Sequence, residues 1–80
     1  MNAESYETDL RRRAARFAAL GDPIRLAIVE RLAVTDCAPS DLEKRLGIRS
    51  NLLAHHLEIL EAAGWVERHR SAGAGRRRYV

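Results

Sequence analysis

Apolar residues recur every three to four positions up to residue 63, which is the spacing of helices that bury one face. Glycine and proline divide this part of the chain, and the pattern predicts four helices, over residues 5–20, 22–33, 39–46 and 50–63. From Trp65 the pattern alternates and is rich in strand formers, and after a glycine-rich interruption it resumes at residues 76–80. The sequence therefore predicts a mainly α protein with a small β-hairpin, in the order ααααββ.

The fourth predicted helix has the clearest division between an apolar and a polar side. At about 100° per residue its leucines fall on one stripe: Leu53, Leu57 and Leu60. The opposite side is polar: Asn51, His55 and Glu58. Ser50 can accept from free amides at the helix start, and Gly64 suits the left-handed position that ends a helix. We expect a helix that is anchored by leucines and presents polar groups outward.

The first two predicted helices are also amphipathic. The first has its apolar residues on one side: Leu10, Ala14 and Phe17. Asp22 and Pro23 give the second a strong start, because Asp is a capping acceptor and Pro loses only an amide without a helical partner. The second has a broad apolar face that we expect other elements to cover: Leu26, Ile28, Val29 and Leu32.

The predicted third and fourth helices are joined by a short turn that contains Gly47. Residues 39–63 therefore have the outline of a helix-turn-helix, and the hairpin that follows directly is placed as a wing. A small strand near Ala38 that pairs with the hairpin is compatible with the pattern. A chain of 80 residues allows one domain, so we expect a single winged helix-turn-helix domain over residues 1–80.

The lone cysteine and the apolar content exclude several classes of protein. Cys37 has no second cysteine for a disulfide or a thiolate metal site. A phosphate-loop cysteine needs an arginine six positions further on, and Glu43 stands there, so we predict no enzyme activity. The N-terminus is charged and no stretch approaches about 18 apolar residues, so we expect no membrane span and a cytoplasmic protein.

The basic residues are concentrated towards the C-terminus. The chain has 14 Lys and Arg against 11 Asp and Glu, and residues 49–80 carry the whole excess of +3. All but one of the basic residues are arginines, whose planar fork suits phosphate oxygens and guanine edges. A basic segment beside a helix with a polar outer side suggests nucleic acid as the partner.

Five strings of residues carry a resemblance to a known family: Leu20-Gly-Asp-Pro-Ile-Arg-Leu-Ala-Ile-Val29, Asp41-Leu…Leu46-Gly-Ile48, Ala54-His-His-Leu57, Ala63-Gly-Trp-Val66 and Gly75-Arg-Arg-Arg-Tyr79. Over roughly residues 10–80 the chain resembles the ArsR/SmtB family of winged-helix repressors. It is most similar to the DNA-binding domains fused to, or associated with, low-molecular-weight phosphatase-like arsenate reductases. The resemblance implies a transcriptional repressor that binds double-stranded DNA as a homodimer, with the fourth helix in the major groove and the wings along the flanking DNA.

The resemblance also implies roles for individual residues. Base contacts are expected from Ser50, Asn51 and His55, at or near the start of the fourth helix. Contacts with the DNA backbone are expected from Arg49, Arg68, Arg70, Arg76, Arg77 and Arg78. The family often has hydroxyl residues where this chain has Arg49, Asn51 and Ala54, so the operator sequence does not follow from the resemblance. Adjacent histidines point about 100° apart, so His55 and His56 cannot both face one metal ion from a helix. His56 lies at the edge of the leucine stripe and is expected to be a hydrogen-bonded core residue, whereas His55 faces outward towards DNA. We expect Trp65 to pack against the helices.

Two further expectations come from departures from the family pattern. The cysteine pair that opens the third helix in metal-sensing members is replaced by residues 38–42, Ala-Pro-Ser-Asp-Leu, so we expect no bound metal and no cofactor. A response to arsenic or a metal without the usual thiolate sensor, and sensing by the Cys37 thiol, stay open. The chain stops before the C-terminal helix of the family's dimer interface, so we expect a truncated protein or the N-terminal part of a longer one, with a weak or lost dimer. Two alternatives to a DNA-binding repressor stay open. One is a winged-helix module that binds proteins through its first helix and wing, and the other is the N-terminal regulatory domain of a phosphatase or arsenate reductase fusion.

Overall fold

The computed structural model describes residues 3–71 and 74–80 of the 80-residue chain, with only the backbone at residues 70, 71 and 74. Within this part the helices are α1 (Ala3–Ala18), α2 (Pro23–Leu32), α3 (Pro39–Leu46) and α4 (Ser50–Ala62). They are followed by two strands, β1 (Val66–Ser71) and β2 (Ala74–Tyr79), and a 3-10 turn at Ala19–Gly21 joins α1 to α2. The predicted order ααααββ is confirmed.

The start of α2 has the predicted cap. Asp22 Oδ1 accepts hydrogen bonds from the amides of Ile24 at 2.8 Å and Arg25 at 3.2 Å, and Pro23 takes the first helical position. These bonds, the one from Arg25 above all, lower the pKa of Asp22 against the opposing effect of desolvation. The carboxylate form therefore holds this helix start.

The helix α4 begins at Ser50 and ends before Gly64, as predicted, but its start lacks the predicted cap. Arg49 occupies the N-cap position without a side-chain cap bond, and Ser50 is already the first helical residue. The prediction of Ser50 as the capping acceptor is therefore wrong, because Ser50 lies inside the helix and Arg49 occupies the N-cap position. Gly47 ends α3 in the left-handed conformation, with φ of 65°. Gly64 has φ of 81° directly after the helix, as expected for a left-handed C-terminal position.

The core lies between α2, α3 and α4 and is closed by the start of the hairpin. Its most deeply buried side chains are Ile28, Leu42, Leu53 and Leu60. The expected face of α2 is covered at Ile28, Val29 and Leu32, but Leu26 is 42% exposed, so that part of the prediction is wrong. By contrast, α1 has no buried residue.

The hairpin is antiparallel, with Val66 opposite Tyr79 and Arg68 opposite Arg77. The loop before α3 joins the edge of the hairpin through one residue, Cys37. Cys37 donates its amide to the Arg77 carbonyl at 3.1 Å and accepts from the Arg77 amide at 2.8 Å, which makes an isolated antiparallel bridge. The small strand expected near Ala38 is therefore present as a single bridge, which fixes the wing against the loop before α3.

Candidate nucleic-acid interface

The outer face of α4, which we define as Ser50, Asn51, His55 and Glu58, is exposed at all four positions. The predicted leucine stripe is buried on the opposite side: Leu53 at 1%, Leu57 at 3% and Leu60 at 0% exposure. Arg49 is also exposed, immediately before the first turn. The structure thus brings together the three predicted base-contacting residues and one predicted phosphate-contacting residue at one end of one helix.

His56 is buried at 6% exposure, unlike its neighbour His55. A guanidinium nitrogen of Arg25 lies 3.1 Å from His56 Nδ1, and because arginine can only donate, Nδ1 is the acceptor. Arg25 Nε donates to the Ala19 carbonyl at 2.7 Å. The prediction that His56 is a hydrogen-bonded core residue is confirmed. Arg25 therefore ties α4 to the turn before α2.

The hairpin arginines do not share one environment. Arg68 and Arg78 are exposed and Arg76 is half-buried. Arg78 forms an ion pair across the strands with Glu67, the residue directly opposite it. The side chain of Arg70 lies outside the described residues, so its predicted contact with DNA stays a prediction.

Arg77 is the exception among the predicted phosphate contacts. It is only 8% exposed, and its Nε lies 2.6 Å from Glu61 Oε1 on α4. The prediction of a DNA backbone contact by Arg77 therefore does not fit the structure, because the ion pair turns its side chain towards α4. Side chains along a strand alternate between its two faces, so the side chain of Arg77 lies on the other face of β2 from those of Arg76 and Arg78. This alternation indicates that Arg77 differs from its two neighbours, but it identifies the buried face of the strand only once the strand register is known.

Trp65 is packed rather than free to stack on a base. It is 9% exposed, and its indole N–H donates to the Arg16 carbonyl at 2.6 Å. The Arg16 guanidinium carbon lies 4.1 Å from the indole ring centroid, and the Phe17 ring meets it edge-on at 5.8 Å. The prediction that Trp65 packs against the helices is confirmed, and it attaches the end of α1 to the start of the hairpin.

Cys37 is enclosed and lies away from α4. It is 4% exposed, and its Sγ is 3.7 Å from the Thr35 carbonyl oxygen. Among residues 3–71 and 74–80 no group of three or more His, Cys, Asp or Glu side chains is arranged to hold a metal ion.

The charges around the outer face of α4 form a simple pattern. No lysine or arginine occurs from Ser50 to Ala62, while Arg49 precedes the helix and the exposed wing arginines follow it. The negative charge of Glu61 is paired with Arg77. An uncharged helix start can approach base edges closely, and the flanking arginines are suited to phosphates.

A helix-turn-helix of α3 and α4 followed by a two-stranded wing defines a winged helix-turn-helix protein. Residues 20–69 match the model of a family described as a helix-turn-helix domain. The chain is also 33% identical to an ArsR-like transcriptional regulator from Rhodococcus sp. RHA1, covering 91% of this chain and 69% of that one with a TM-score of 0.83. The protein therefore belongs to the ArsR family of winged-helix, DNA-binding transcriptional regulators.

Two further solved structures share this fold. The transcriptional repressor BigR from Xylella fastidiosa is 28% identical over 100% of this chain and 82% of its own, with a TM-score of 0.78. The homodimeric domain Mb0332 from Mycobacterium bovis is 23% identical over 98% of this chain and 72% of its own, with a TM-score of 0.89. A comparison with curated proteins gives no match. In the described part of the chain no helix is long and apolar enough to cross a membrane.

Proposed function

We propose that this protein represses transcription by binding an operator duplex as a homodimer, with α4 of each copy in the major groove. The observation that carries the proposal is the exposed outer face of α4, held in place by its buried leucines. A helix of this kind fits the major groove, and its N-terminal residues meet the base edges first. The description of BigR as a repressor supports the direction of regulation.

The proposed contacts follow from exposure. Ser50, Asn51 and His55 would meet base edges, where a hydroxyl, an amide and an imidazole can each donate or accept. Phosphate contacts would come from the exposed or half-buried arginines that flank the helix: Arg49, Arg68, Arg76 and Arg78. Arg77 would act indirectly, since its ion pair with Glu61 fixes the wing relative to α4.

The proposed dimer would use α1. Tyr6, Leu10 and Phe17 are 54%, 41% and 62% exposed, and their spacing places them on one stripe of the helix. We call these three residues the α1 stripe. The homodimeric state of the Mb0332 domain supports a second copy of the chain as the partner. Two copies would present two α4 helices to two half-sites of a palindromic operator.

The test is selection of duplexes from a random DNA library, followed by titration of the best duplex at several salt concentrations. We expect sequence-selective binding whose logarithm falls linearly with the logarithm of salt concentration. Asn51→Ala and His55→Ala should each weaken binding about fivefold or more, within the 1–3 kcal/mol typical of base contacts. Val34→Ala, which changes a side chain that is 78% exposed outside α4, is the control and should bind normally.

Two results would contradict the proposal. Binding without sequence preference, or binding that changes little with salt, would instead favour a protein-interaction module. A protein that remains monomeric in sedimentation at micromolar concentration would contradict the homodimer. Responsiveness to arsenic or a metal, and sensing by Cys37, stay predictions.

A further inference from the structure

The outer face of α4 is bordered by apolar side chains that do not belong to the core. Leu52 is 41% exposed although its neighbour Leu53 is 1% exposed, and Ala54 is exposed as well. At about 100° per residue, Leu52 lies some 100° to one side of Asn51 and Ala54 about 60° to the other. The first turns of α4 thus present the amide of Asn51 and the imidazole of His55 between two apolar groups.

The residue types on this surface restrict the bases that it can recognise. The commonest specific contact with guanine is made by arginine or lysine, and α4 has neither. Asparagine can bond adenine in a bidentate manner through N6 and N7, and apolar side chains contact the C5-methyl group of thymine. Both features are presented in the major groove by A·T pairs.

We infer that each half-site is recognised at its centre through A·T pairs, with Asn51 on an adenine and with Leu52 and Ala54 against thymine methyl groups. This inference rests on the proposed function, because it assigns the bases that the same helix would meet. It also gives the exposure of Leu52 a physical reason: an apolar side chain at the leading end of α4 is buried when the helix enters the groove. Leu52 and Ala54 are then specificity-determining residues.

The experiment replaces thymines one at a time by deoxyuridine in the duplex selected from the random library, which removes only the methyl group. We expect affinity for the wild-type protein to fall about fourfold at one or two positions per half-site, the loss that corresponds to one buried methyl group. Leu52→Ala should bind the thymine duplex about fourfold more weakly and should no longer respond to deoxyuridine at one of those positions. Circular dichroism confirms that the variant is folded.

Leu26→Ala is the matched control, since Leu26 is an equally exposed leucine, at 42%, on α2. It should keep both the affinity and the deoxyuridine response of the wild type. A parallel series with 7-deazaadenine, which lacks the N7 acceptor, should weaken binding at one position in the wild type and have no effect there in Asn51→Ala.

The outcomes separate this inference from the proposed function. Selected duplexes with G·C pairs at the centre of the half-site, or wild-type binding that is unchanged by every deoxyuridine, would overturn the inference while sequence-selective, salt-dependent binding still supports the function. Failure to select any duplex would overturn both. The wild-type deoxyuridine series needs no substituted protein, so it decides the question even where a variant is unstable.

Discussion

The helices α1 and α4 are both amphipathic, but they use their apolar residues in opposite ways. In α4 the leucine stripe is buried in the core and the polar face is exposed. In α1 no residue is buried, and the side chains of the α1 stripe are 41% to 62% exposed. The contacts described for α1 at its C-terminal end are those of Arg16 and Phe17 with Trp65.

This difference shows that the same periodicity serves two kinds of surface. A helix that fills the core of its own chain needs its apolar side inside, whereas exposed apolar stripes of this kind often mark surfaces for another protein. We therefore attribute the stability of the single chain to α2, α3 and α4, and the proposed assembly of two chains to α1.

Removal of a leucine side chain should have very different effects in the two helices. Leu60 is fully buried in α4, so Leu60→Ala should lower the free energy of unfolding by about 2–5 kcal/mol. Leu10 on α1 is 41% exposed, and Leu10→Ala should cost less than about 1 kcal/mol in the monomer. Urea unfolding at low protein concentration measures both. Similar losses in the two variants would contradict the division between the helices.

Periodicity was sufficient to predict much of this fold. It gave the order of the elements, the leucine stripe of α4 and the separate environments of His55 and His56. It could not give the contact of His56 with Arg25, because the two residues are 31 positions apart and meet only through packing of the helices. Nor could it show that Arg77 is turned inward, since a run of three arginines has no polar and apolar alternation to mark the buried face.

The two neighbouring arginines of β2 should respond differently to substitution. Arg77→Ala leaves Glu61 without its partner and should lower the free energy of unfolding by about 1–3 kcal/mol. Arg76→Ala should change stability by less than about 0.5 kcal/mol. DNA binding should instead depend directly on Arg76. Arg76→Ala should reduce the slope of log affinity against log salt by about one, as expected for one lost phosphate contact.

Thermal unfolding and salt titrations of these two variants give the two readouts independently. A stable Arg77→Ala protein with a reduced salt slope would mean that Arg77 contacts phosphate after all, which the ion pair with Glu61 argues against.

A charge within the α1 stripe should act on assembly rather than on folding. Leu10→Glu would place an unpaired carboxylate in the proposed dimer interface, so we expect the dimer dissociation constant to rise more than about tenfold. The circular dichroism spectrum of the monomer should not change. Sedimentation over a range of concentrations measures the effect, and Thr8→Glu, exposed on the same helix outside the stripe, is the control. Equal dimerisation of Leu10→Glu and the wild type would exclude α1 as the interface.

Asp22 lies between α1 and α2 and caps the start of α2, directly after the 3-10 turn that follows α1. Hydrogen bonds from the backbone, first of all from Arg25, lower the pKa of Asp22 in the folded protein. The folded protein therefore binds this proton less readily than the unfolded chain, so the stabilisation is complete above the ordinary pKa of about 4 and is lost as pH falls through the lower folded value.

Asp22→Asn keeps a capping acceptor but cannot titrate. The stability difference between wild type and Asp22→Asn should be constant at neutral pH and should change in favour of the variant below about pH 4. Unfolding curves at stepped pH measure it, and a difference that stays constant through the acid range would mean that the cap does not depend on the charge of Asp22.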